Sequence, residues 1–108
     1  MSNESLKKLY IDELKDLYSA ENQLIQALPK MAKAASATEL QRGFDKHLNQ
    51  TESHVQRLEE IFQALGESPK GKKCVGMEGL VKEGSEVMSG DFGGAVLDAG
   101  LIGAARRV

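Results

Sequence analysis

An apolar residue returns at steps of three and four from Leu14 to Met31, and again from Leu40 to Leu65. That period matches one face of an α-helix and neither face of a strand. Each stretch is therefore predicted as one long amphipathic helix with a single buried side. Glycine usage agrees, because residues 1–65 contain one glycine, Gly43, and residues 66–108 contain ten. Glycine in a helix interior costs about 1 kcal/mol relative to alanine. The first part of the chain avoids that cost, and the second part does not.

The first helix is predicted over residues 5–35, with the stripe Leu14, Leu17, Tyr18, Leu24, Ile25, Leu28 and Met31. Pro29 lies inside it and is expected to kink the helix rather than end it, since the period runs on through Ala35. A break follows at Ser36, Ala37 and Thr38. Thr38 with Gln41, or Ser36 with Glu39, has the spacing of a capping box. The second helix runs to Leu65 with the stripe Leu40, Phe44, Leu48, Val55, Leu58, Ile61, Phe62 and Leu65. Gly66 is its stop signal, and Pro69 lies just beyond. So short a break makes the two helices antiparallel neighbours.

Residues 66–76 read as a loop and residues 77–88 as a short third helix. A turn at Ser89, Gly90 and Asp91 leads to a fourth helix from Phe92, capped by Asp91 or Ser89. The fourth helix is apolar nearly all round and carries no stop at Val108, which predicts a chain cut inside a larger helical domain. The expected architecture is a single all-α domain over residues 1–108.

Fourteen basic and sixteen acidic residues leave a net charge of −2. No basic footprint exists for nucleic acid or an anionic membrane, since the richest run is Lys70, Lys72 and Lys73. No apolar run approaches the roughly 20 residues of a membrane span. The first ten residues lack a signal-peptide core, and one cysteine, Cys74, forms no internal disulfide. A cytoplasmic location is the expectation. Cys74 has no adjacent histidine to make it a nucleophile.

The informative residues interrupt the stripes. Glu21 falls at a core position of the first helix, between Leu17 and Leu24. His47, Thr51 and His54 fall at core positions of the second. A hairpin folding near residue 36 places Glu21 opposite Thr51, with His54 about one turn to one side and His47 about one turn to the other. A buried carboxylate without a partner costs several kcal/mol, so Glu21 is expected to meet an imidazole. One reading is a Glu–His contact that fixes helix register. The other is half of a metal site built from carboxylate and imidazole. Di-iron bundles draw a Glu from one helix and a Glu and His three apart from its partner; here Thr51 and His54 hold that spacing, with Gln50 nearby. Glu78, Glu83 and Glu86 recur along the third helix and read as a solvated face, with an inward-turned Glu83 as the alternative; Asp98 interrupts the apolar fourth helix, with a partner or ligand role as one reading.

Four blocks of the chain carry a family resemblance: LKDLYSAENQLIQALPKMAKAA, GFDKHLNQTESHVQRLEEIFQALG, KCVGMEGLVKEG and DAGLIGAARRV. Their order and content resemble the bacterial YciE/YciF stress-protein family. The resemblance implies a ferritin-like, rubrerythrin-like helical bundle that dimerises. It also implies that members run on past the point where this sequence stops. It matches Glu21 and His54, with His47 or Gln50, to the first half of the bundle's metal-site region, where many members carry Glu in place of Gln50. The expected function is a ferritin-like stress-response protein with iron or manganese in the bundle interior. The alternative is a metal-free helical dimerisation module in which Glu21 and His54 form a structural pair.

Overall fold

In a computed structural model, which describes residues 3–90, 93–106 and 108, the periodic segments form α1 (Asn3–Ala34) and α2 (Thr38–Leu65). The glycine-rich part forms α3 (Val75–Met88) and α4 (Gly94–Ala105). There is no strand among the described residues. The architecture is the all-α bundle expected from the sequence. The α1–α2 hairpin sets the longest dimension, 54 Å, close to the length of a 32-residue helix at about 1.5 Å per residue. Helix α1 continues through Pro29 to Ala34, because the proline removes one backbone donor while its neighbours stay buried. Helix α2 stops where Gly66 takes a left-handed φ of 69°, a conformation that costs a residue with a Cβ more than it costs glycine.

Two apolar clusters divide the hairpin. At its turn end, Leu24, Leu28, Met31, Ala35 and Phe44 pack with Leu101 and Ala104 of α4. At its open end, Leu14 packs with Leu58 and Phe62. Helices α3 and α4 cover the turn end, and Gly100 permits their close approach. A Cβ at Gly100 would stand 2.8 Å from the Val87 side chain, so a larger residue requires Val87 or the helix pair to shift.

Several expectations need correction. Leu17 is 50% exposed and Ile61 36% exposed, because neither α3 nor α4 covers that part of the hairpin. No side chain caps α2, whose N-cap is Ala37. The capping comes from another helix. The backbone amides of Ser36 and Ala37 donate to the two carboxylate oxygens of Asp98, at 2.7 and 2.8 Å. Asp98 is thus a clamp that holds α4 on the α1–α2 turn, and this explains a charge in an otherwise apolar helix. Helix α3 starts two residues before Met77, with Cys74 as its N-cap; the Cys74 thiol accepts from the Met77 amide. Glu78, Glu83 and Glu86 are all exposed, which is the solvated face expected of α3. Ser89 donates to the Ser85 carbonyl and so closes α3 rather than capping α4. Asp91 and Phe92, the other expected elements of the α4 start, lie outside the described residues.

Replacing Asp98 by alanine removes two charge-assisted bonds from an exposed turn. The expected loss is about 1–2 kcal/mol, in the range of an N-cap deletion. Asp98→Asn should lose less, since its single carbonyl oxygen still accepts. Urea unfolding checks this, and equal midpoints for Asp98→Ala and the parent would show that the clamp carries no stability.

Candidate functional site

Glu21 lies on the α1 face next to α2, between Leu17 and the buried Leu24. His54 lies on the flank of α2, between the buried Thr51 and Val55. Helix pairing brings the two together, and the Glu21 Oε2 to His54 Nδ1 separation is 3.4 Å. The carboxylate side chain is 21% exposed and the imidazole 51%. The pair therefore sits at the rim of the hairpin, not in its core. His54 is one of the two imidazoles that the hairpin register sets within reach of Glu21. Thr51 is fully buried and satisfies its hydroxyl within its own helix by donating to the His47 carbonyl at 2.8 Å. This back-bond leaves a buried polar residue with no need of Glu21.

The other two candidate ligands lie elsewhere on α2. Gln50 is exposed, one turn before His54, and His47 is half-buried two turns before it. Two turns amount to roughly 10 Å along the axis. Among the described residues, no hydrogen bond or ion pair joins either of them to Glu21, and no group of three or more His, Cys, Asp or Glu is placed to share an ion.

The chemistry of the pair follows from its geometry. Charge-assisted N–H···O bonds run at about 2.7–2.9 Å, so 3.4 Å is a long contact. At that distance the contact is at most a weak hydrogen bond. Imidazole and carboxylate are both donors that iron and manganese accept. Two donors make part of a site and leave the remaining positions to other groups.

From the pair toward its open end, the hairpin exposes apolar side chains. Leu6, Leu9, Tyr10 and Leu17 of α1 are each about half exposed, and Ile61 of α2 is 36% exposed. Leu6, Tyr10 and Leu17 recur at helical spacing on one side of α1. The sequence shows these residues as apolar but does not show that no neighbour covers them.

Comparison with known proteins adds relatives at this point. Residues 5–108 match the family model described as domain of unknown function DUF892. Protein YciF of Escherichia coli (strain K12) is 38% identical over 109 residues, which cover all of this chain and 66% of that protein. The crystal structure of the E. coli stress protein YciF superposes with a TM-score of 0.87 at 38% identity, over 94% of this chain and 64% of that one. YcfI of Rhodopseudomonas palustris superposes with a TM-score of 0.81, also at 38% identity, over 86% of this chain and 59% of that one. The chain thus spans just under two thirds of the length of the relatives it matches.

Proposed function

The chain belongs to the DUF892 family and is a homologue of the stress protein YciF, and from that premise we propose that it is a ferritin-like stress-response protein whose Glu21–His54 pair is one part of an iron or manganese site. The observation that carries the reading is the 3.4 Å approach of a carboxylate oxygen to an imidazole nitrogen across two helices. A solvent-exposed ion pair is worth at most about 1 kcal/mol. Glu21 would supply the anionic oxygen and His54 the neutral nitrogen. A bound ion of this kind supplies Lewis-acid or redox chemistry. Residues outside the pair complete its coordination; Gln50, one turn before His54, is nearer to it along α2 than His47, two turns before it.

Anaerobic titration with Fe(II) or Mn(II) tests the proposal. The parent protein should bind with a defined stoichiometry that Glu21→Ala and His54→Ala each abolish. Both variants should unfold within about 1 kcal/mol of the parent, because the pair is partly exposed. Equal stoichiometry in parent and variants would end the metal reading.

A second reading is favoured by the exposed residues Leu6, Leu9, Tyr10, Leu17 and Ile61. Here the chain acts as a metal-free helical module that dimerises, with Glu21 and His54 as a register contact. An apolar face left bare invites self-association. This reading expects a dimer with a melting temperature indifferent to chelators. A marked fall in melting temperature on chelation contradicts it.

A further inference from the structure

We propose that the groove between the middle of α1 and the loop preceding α3 binds a phosphate-bearing small molecule of mononucleotide size. The groove has a volume of about 590 Å³ and is lined by Tyr18, Asn22 and Gln26 on one side and Lys70, Lys72 and Lys73 on the other. No carboxylate lines it. The chain as a whole carries −2, so this concentration of positive charge is local. Nor is it part of the Glu21–His54 contact. Successive helical residues turn by about 100°, which directs Asn22 and Gln26 to another side of α1.

The loop is fixed in place where it meets α1. The Cys74 amide donates to the Ser19 hydroxyl at 2.8 Å, and the Gln23 side-chain amide donates to the Cys74 carbonyl at 3.0 Å. Further back, the Lys70 amide donates to the Ser68 hydroxyl, and Gly71 takes a φ of 109° that only glycine adopts without strain. The anchored Cys74 thus sets the end of the lysine-bearing loop against α1. Lys73 also pairs with Glu78, which lies outside the groove, and both side chains are largely exposed. Such a pair is weak and open to exchange for a stronger anion.

The lining sets the ligand's chemistry. Ammonium groups bind phosphate as point charges through charge-assisted bonds. Asn22 donates one of its two amide hydrogens to the Tyr18 carbonyl at 2.9 Å, which leaves it one donor and its acceptor oxygen. Gln26 offers both a donor and an acceptor. These groups suit hydroxyls or an amino group on the body of a ligand. The groove is shallow and largely open to solvent, so it covers one side of a ligand larger than inorganic phosphate rather than enclosing it.

Amide chemical shifts of the full chain, titrated with adenosine monophosphate, provide the test. The proposal expects saturable shifts confined to residues 18–26 and 69–74. Adenosine alone should bind roughly tenfold more weakly, since the charge-assisted contacts are lost. The double variant Lys70→Ala/Lys72→Ala should weaken adenosine monophosphate by a similar factor. Both lysines are exposed, so this variant keeps its fold, which an unchanged melting temperature verifies. Absence of saturation, or shifts spread over lysines throughout the surface, would overturn the proposal. So would equal affinity in the double variant, or binding of a single-stranded oligonucleotide through these lysines without binding of the mononucleotide.

Discussion

Leu28→Ala is expected to lower the stability of the whole domain by about 2–5 kcal/mol. Leu28 has no exposed surface and sits in the cluster where α1, α2 and α4 meet. Its neighbours Leu24, Met31, Phe44 and Leu101 come from three helices, so collapse into the cavity would require several backbones to move together. The cost should therefore fall toward the upper part of that range. For a chain of this size, such a loss lowers the melting temperature by roughly 10–30 °C. Calorimetry or thermal circular dichroism measures it. A shift of only a few degrees would mean that the turn-end cluster is looser than its burial implies.

Phe62→Ala is expected to cost about 3–5 kcal/mol, with the damage more local. Phe62 is 1% exposed and anchors the open end of the hairpin with Leu14 and Leu58. Its ring meets that of Tyr18 edge to face, with centroids 6.1 Å apart, a geometry worth about 0.5–1.5 kcal/mol beyond area burial. No residue of α3 or α4 belongs to that cluster. The open end should fray while the turn end keeps its packing. Hydrogen exchange distinguishes the two cases. Amides around residues 11–18 and 58–65 should lose protection in Phe62→Ala, while those around residues 24–35 keep it. Uniform loss along both helices would show that the two clusters unfold as one unit.

The long helices are legible in the sequence because a period of three and four sustained over many turns has one physical solution. The stop at Gly66 is legible for the same kind of local reason. Leu17 and Ile61 show where that reasoning ends. Periodicity identifies an apolar face, but whether a neighbour covers it depends on where α3 and α4 dock. Asp98 shows the complementary failure. A charge inside an apolar helix signals a partner, yet its partners are backbone amides 61 and 62 residues earlier in the chain. Backbone amides leave no trace in side-chain identity, and the capping boxes expected at Thr38 and Ser36 reflect that blind spot.

The Glu21–His54 contact is legible in the sequence, because the hairpin register sets Glu21 within about one turn of His54. Periodicity does not reveal which imidazole the carboxylate meets or that the pair lies at the rim. Thr51 sits in the core because its hydroxyl bonds within α2, which the spacing alone does not reveal. The lysine groove was less legible still. Lys70, Lys72 and Lys73 read as a short basic run, and only the anchoring of the loop on Ser19 and Gln23 sets them opposite the polar side of α1.

The central claim is that Glu21 and His54 hold a metal ion rather than merely each other. The most direct test is the metal content of the purified protein by plasma mass spectrometry, after growth with added iron and manganese, beside Glu21→Ala prepared in the same way. The account predicts iron or manganese in the parent at a fixed ratio to protein and its loss in the variant. Neither metal in the parent, or the same content in both proteins, would contradict it and leave the pair as a register contact.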